Sequence, residues 1–320
     1  LSTTETFISA RARVSAFVEL SKPRLVALVV VTAAAGFALG GGGGAAVLGA
    51  LLLGTALLAG GAAAANEWME AAYDGRMLRT RARPIPSGRV RPGAALAFSA
   101  ATAVTGTVLL AATTGALAAG LGVLCFAVYV AAYTPLKRVT TLCTPVGAIV
   151  GAIPPMMGFA AATGRIGPAA IVLSALLFTW QIPHFLAIAW LCREDYERGG
   201  FAMLPVGDPE GRRTFPMVLL YSGALLPVSL AAVMAGAGGL LYAAGALLLG
   251  GGFFWLAVRL VREGTREAAR RLFLASLLYL PLLLALLVFD PTGSLVRTSH
   301  RPRGPERISS SMPASILVGD

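Results

Sequence analysis

Apolar runs of about 20 residues, the length an α-helix needs to cross a bilayer, recur along this chain. They lie near 25–44, 46–66, 93–113, 117–135, 145–163, 169–190, 215–235, 238–258 and 271–289. Spanning β-strands are about half as long and alternate apolar with polar side chains, and these runs do not alternate. The pattern predicts an all-α, multispanning transmembrane helical bundle of about nine helices. Composition agrees: hydrophobic types make up 57 % and charged types 13 % of the 320 residues, about half the charged share of a soluble domain. A water-soluble globule is excluded, and so is disorder through most of the chain.

The formal charge of +11 does not point to nucleic acid, because the basic residues fall in short clusters between apolar runs. Nine alternating spans put Arg11, Arg13, Lys22 and Arg24 on one side. Arg76, Arg79, Arg81, Arg83, Arg89 and Arg91 share it, as do Lys137 and Arg138, then Arg193, Arg198, Arg212 and Arg213. Arg259, Arg262, Arg266, Arg270 and Arg271 complete that side. Only Arg165, Arg297, Arg301, Arg303 and Arg307 fall opposite. The positive-inside rule makes the N-terminus cytoplasmic and the C-terminus external. Residues 1–20 lack the features of a secretory signal and are expected to form a short surface helix. The spanning domain is 21–289, and 290–320, rich in Pro, Gly, Ser and Arg, reads as a poorly ordered external tail. Cys125, Cys143 and Cys192 form no CxxC pair, so neither a disulfide framework nor a zinc site is expected.

Polar groups next to hydrocarbon are costly and tend to mark function. In NEWMEAAYDGRMLRTRARP, Asn66, Glu70 and Asp74 are spaced i, i+4, i+8 and share one face if the second helix continues that far. Oxygen ligands so placed suit a hard cation such as Mg²⁺. Arg76, Arg79, Arg81 and Arg83 follow at once, and guanidiniums beside a metal site are what a diphosphate requires. A second cluster, WQIPHFLAIAWLCREDYERGG, holds Trp180, Gln181, His184, Arg193, Glu194, Asp195 and Tyr196. Pro183 there, and Pro154 and Pro155 in the preceding span, are expected to break or unwind their helices. Tyr133, Lys137 and Arg138 form a third, basic edge on the same side.

At these residues the chain resembles the UbiA superfamily of membrane prenyltransferases, and within it the branch that farnesylates heme b. The likeness runs from about Ser21 to Phe289. It is carried by SKPRLVALVVVTAAAGF, NEWMEAAYDGRMLRTRARPIPSGR, YTPLKR, GAIPPMMGFAAATG and the 180–206 segment. The resemblance implies a nine-span bundle in the cytoplasmic (inner) membrane with a site near the cytoplasmic face. It implies transfer of a farnesyl group from farnesyl diphosphate to the 2-vinyl group of heme b, with addition of water, giving heme O. Heme b is then a substrate, Mg²⁺ the cofactor, the bilayer the setting, and a heme A synthase the consumer of product. Asn66, Glu70, Asp74 and Asp195 match the family's acidic motifs as catalytic metal ligands. Tyr133, Lys137, Arg138, Trp180, Gln181, His184, Arg193, Glu194 and Tyr196 are expected to bind substrate together with Arg76, Arg79, Arg81 and Arg83. His184 is assigned to heme, since imidazole suits iron better than Mg²⁺. One departure is Leu191, where the superfamily carries a second acid; either Glu194 substitutes or the second site relies on fewer ligands.

Two other readings compete. A UbiA-type enzyme could prenylate a quinone precursor or another ring, differing only in the acceptor pocket. An ion-coupled transporter could use the acids and His184 as a pathway, but it predicts acids near the bilayer midplane.

Overall fold

The computed structural model describes residues 10–290, so the expected tail beyond Asp290 lies outside the described residues. The helices are α1 (Ala10–Leu20), α2 (Pro23–Leu39), α3 (Ala45–Asp74), α4 (Pro92–Thr114), α5 (Ala116–Leu136) and α6 (Cys143–Thr163). They continue as α7 (Pro168–Leu191), α8 (Arg193–Gly199), α9 (Thr214–Met234), α10 (Leu240–Glu263) and α11 (Arg266–Phe289). Eight are long and apolar enough to cross a membrane, and α2, which meets α1 at a 52° bend, brings the spans to nine. Among the described residues no strand occurs. The bundle is the multispanning helical architecture that the apolar runs predict.

Several boundaries move. The α3 helix runs to Asp74, eight residues past its expected end at 66. The basic 259–271 stretch is not a connection: α10 and α11 continue through it and leave only Gly264 and Thr265 as the turn. Those arginines hold the helix ends through i, i+4 pairs with acids, Arg259 with Glu263 and Arg271 with Glu267. The run of glycines after α2 does form the turn, with Gly41 at φ +95° and Gly42 at φ +72°, a region closed to most side chains.

Neither proline site breaks its helix; α6 passes through Pro154 and Pro155, and α7 through Pro183. A proline leaves the carbonyl four residues earlier without its helical donor. At Pro154 that carbonyl is Val150 O, and Cys125 Sγ of α5 approaches it at 3.4 Å. Tertiary packing thus supplies a donor that the local sequence withholds.

The α6 and α7 helices are the most enclosed spans and form the centre. The α2 backbone lies directly against α6: a Cβ on Gly36 would fall 2.0 Å from Pro155 O, and one on Gly158 only 1.8 Å from Ala33 O. Small residues allow this approach, which is how membrane helices gain packing without a hydrophobic driving force. At one end, α1 and the 75–91, 137–142 and 192–213 connections meet. Arg89 pairs with Glu19 at 2.6 Å, Asp195 accepts from Leu78 N, and Ala202 N donates to Lys137 O at 2.7 Å. That end carries the predicted polar clusters.

Candidate active site

The end of α3 displays Asn66, Glu70 and Asp74 on one continuous helix, all buried at 1, 3 and 0 % exposure. Each finds its partner on a different element. Lys22, between α1 and α2, donates from Nζ to Asn66 Oδ1 at 2.8 Å, and Asn66 Nδ2 donates to Thr134 Oγ1 at 3.1 Å. Lys137 Nζ lies 2.9 Å from Glu70 Oε1 and donates to Oε2 at 3.2 Å. Burial opposes the charge on Lys137, but the Glu70 carboxylate outweighs it and holds the ammonium above its ordinary value. Arg83 Nη1 donates to Asp74 Oδ2 at 2.6 Å.

One acidic oxygen remains over. Asp74 Oδ1 is buried without a partner, a costly arrangement for an anion, and Glu70 Oε1 has only the Lys137 ammonium against it. Hard anionic oxygens of this kind are what Mg²⁺ takes, usually one or two carboxylates completed by water and phosphate. Among the described residues no three His, Cys, Asp or Glu side chains form a closed metal cage. The Asp74 and Glu70 carboxylates are of the donor type that Mg²⁺ takes.

The other expected residues divide. Asp195 Oδ1 accepts from Leu78 N at 3.1 Å and from Arg198 Nη2 at 2.6 Å. The Arg198 guanidinium, with Leu78 N–H, holds this carboxyl below the usual range. Asp195 thus ties α8 to the segment that follows α3. Arg79 Nη2 donates to Tyr196 Oη at 3.2 Å, and Arg138 Nη1 donates to Tyr73 Oη at 2.8 Å. Arg76 lies over the Tyr73 ring. Arg81 and Glu194 are exposed. Arg193 turns away, donating to Pro209 O at 3.1 Å and covering Trp190, so it braces the 200–213 connection.

A largely apolar cavity of about 300 Å³ is lined in part by Tyr129, Tyr133, Trp180, Gln181 and His184. Tyr133 links it to the acids, since its ring centroid lies 4.7 Å from the Lys137 ammonium that pairs with Glu70. Tyr129 and Tyr133 stand on a π-helical stretch, Val128–Tyr133, inside α5; such widened turns are frequent at functional sites. Thr134 Oγ1 donates to Tyr129 O at 2.9 Å there while accepting from Asn66. Gln181 donates to Leu177 O at 3.0 Å, pressed so close to Gly151 that a Cβ would fall 1.9 Å from its Oε1.

Residues 27–284 match the model of the UbiA prenyltransferase family. The chain belongs to that family. It is 47 % identical over 228 residues to the protoheme IX farnesyltransferase of Solibacter usitatus, covering 71 % of this chain and 78 % of that one. With the protoheme IX farnesyltransferase of Opitutus terrae it shares 40 % identity over 284 residues, 88 % of this chain and 96 % of that one. The human mitochondrial protoheme IX farnesyltransferase is 40 % identical over 239 residues, 75 % of this chain and 52 % of that longer one. Among solved structures, a digeranylgeranylglyceryl phosphate synthase superposes with a TM-score of 0.73 at 13 % identity, covering 86 % of this chain and 97 % of that one. A UbiA homologue from Archaeoglobus fulgidus bound to GPP and Mg²⁺ gives 0.59 at 13 % identity, covering 85 % and 99 %. At such identities the structural likeness establishes the fold alone. Family membership makes the chain a membrane prenyltransferase, which sets the transporter reading aside.

Sequence reasoning missed three participants. Lys22 was counted only toward topology, although its backbone takes the left-handed φ of 51°, the only such non-glycine among the described residues. That conformation is unfavourable for a side-chain-bearing residue, and it occurs where Nζ meets Asn66. Glu67, buried beside Asn66, accepts from Ile85 N at 3.1 Å and pins the arginine-rich connection. Thr134 carried no signal beyond its place next to Tyr133.

Proposed function

We propose that this prenyltransferase moves a farnesyl group from farnesyl diphosphate to the 2-vinyl group of heme b, adding water and yielding heme O and diphosphate. The observation that carries the reading is the shared activity of relatives that match most of this chain. The site suits such a donor. Its apolar cavity suits a hydrocarbon chain, while Lys22, Arg83 and Lys137 gather on Asn66, Asp74 and Glu70, with Lys137 also over the ring of cavity-lining Tyr133.

In this scheme the C1–O bond of the donor breaks and diphosphate leaves with the electron pair. Guanidinium and ammonium donors stabilise the departing charge through short charge-assisted bonds. Mg²⁺, held by Asn66, Glu70 and Asp74, would supply further neutralisation of the diphosphate. The vinyl π electrons form the new C–C bond to C1 of the farnesyl group. Water then captures the cation next to the porphyrin and releases a proton. Asp195, through Leu78 N, keeps the connection after α3 in place. The concentration of basic residues at the site end supports a cytoplasmic-facing site with the N-terminus inside, and a heme A synthase would consume the product.

The test is an assay of detergent-purified protein with heme b, farnesyl diphosphate and Mg²⁺, with mass spectrometry for heme O and an EDTA control. Metal-dependent heme O is expected. Folded protein that consumes the donor only with a quinone precursor would overturn the acceptor assignment.

A further inference from the structure

His184 is bound at one ring nitrogen and unpartnered at the other. Its Nδ1 lies 2.7 Å from Ser276 Oγ of α11, and the Ser276 hydroxyl lies 2.5 Å from Phe273 O, to which it donates. A serine hydroxyl has one proton. Two oxygens at that separation need the proton between them, so toward His184 the serine acts as acceptor. Nδ1 therefore carries the hydrogen, and in a neutral imidazole Nε2 then keeps its lone pair. Among the described residues Nε2 has no hydrogen-bond partner.

The same serine fixes the ring's neighbours. Trp180 Nε1 donates to Ser276 O at 3.0 Å, and the Trp180 ring stacks on His184 at 5.0 Å with 20° between planes. Phe273, one turn before Ser276, stacks on His184 at 5.1 Å and 28°. Trp180 and His184 line the cavity, as does Leu280, one turn beyond Ser276. Ser276 itself is fully buried and does not line it. The hydroxyl itself meets only His184 of the two cavity-lining rings, Trp180 being held by the Ser276 backbone carbonyl. A buried hydroxyl in a leucine-rich span that contacts this one ring nitrogen is better explained by orienting the imidazole than by packing.

We propose that Ser276 is a positioning residue, holding His184 in the Nδ1–H tautomer so that Nε2 is free to ligate the iron of the heme acceptor. This rests on heme b being the acceptor. It follows the general behaviour of metal-binding histidines, whose second nitrogen donates to a neighbouring group that sets tautomer and orientation.

The experiment titrates ferric heme b into the detergent-purified full chain and records its absorption and electron paramagnetic resonance spectra. Alongside these, KM is measured for both substrates. The wild type is expected to give a nitrogen-ligated heme spectrum. His184→Ala should abolish that signature and regain it with added imidazole. Ser276→Ala should weaken heme affinity by about tenfold or more and leave KM for farnesyl diphosphate unchanged. Ser276→Thr, which keeps the hydroxyl, should keep the wild-type heme affinity. Heme O formation with a spectrum indifferent to His184→Ala would overturn this inference and leave the proposed function standing. An unchanged heme affinity in folded Ser276→Ala would do the same. Absence of both heme binding and heme O formation in folded wild type would overturn the function and the inference together.

Discussion

At Asp74 one carboxylate oxygen is paired with Arg83 while the other is buried without a partner. Replacing it by asparagine keeps the shape and removes the charge. Asp74→Asn is expected to lower heme O formation by about 10²- to 10³-fold, the usual cost of losing one electrostatic stabiliser, with unchanged membrane insertion. Turnover per mole of purified protein checks it, and wild-type turnover would remove Asp74 from the site. The acidic ladder was legible in the sequence because i, i+4, i+8 is a local helical relation. Its partners were not. Lys22 lies 44 residues from Asn66, and Ser276 lies 92 from His184; no local periodicity joins them. Lys22 was also masked by its neighbours, since a cation at the mouth of a span reads first as a topology signal.

Among the elements, α2 depends on α6 for its seat. Gly158→Ala would drive a methyl into Ala33 O, and overpacking of this kind costs about 1–3 kcal/mol. A fall in thermal stability in detergent is expected, whereas Gly120→Ala, with open space around it, should show none. The start of α9 is held differently. Asp208 Oδ2 accepts from Arg213 N at 2.9 Å, and from Thr214 N and Thr214 Oγ1, each at 2.7 Å. Burial acts to raise this carboxyl, but the hydrogen bonds from Thr214 and Arg213 prevail and hold it below its ordinary value of 3.8. A depressed carboxyl contributes its stability above the ordinary value and loses it as pH falls through the folded one. Asp208→Ala should therefore cost about 1 kcal/mol near neutrality. That difference from wild type should shrink below about pH 4 in paired unfolding curves. The spans themselves were legible from length and hydropathy. The fate of the prolines was not, because whether a helix survives one depends on donors from other helices, as at Val150 O.

On the scale of the whole molecule, the cavity lies at the small end of ligand-pocket volumes, and His184 and Trp180 form only part of its wall. It reaches Leu58 and Met157, which converge on the space beside Gly122. Leu58 precedes Glu70 by twelve residues, or about 18 Å along α3, so this is the end remote from the acids. Met157→Ala should deepen that end and raise kcat/KM for geranylgeranyl diphosphate relative to farnesyl diphosphate. An unchanged ratio, measured by competition between the two donors, would place the chain's terminus elsewhere.

The pairing of the polar end also bears on how a charged substrate can enter a site bordered by lipid. Arg83 and Lys137 already neutralise Asp74 and Glu70, so the resting site presents little unbalanced charge to the hydrocarbon beside it. A metal–diphosphate complex brings both signs with it. Its metal can take over the acids while its phosphates take over the released bases, each ion trading one counterion for another. In the proposed mechanism binding is then an exchange of partners close to electroneutral, which would spare the membrane edge the cost of a bare charge.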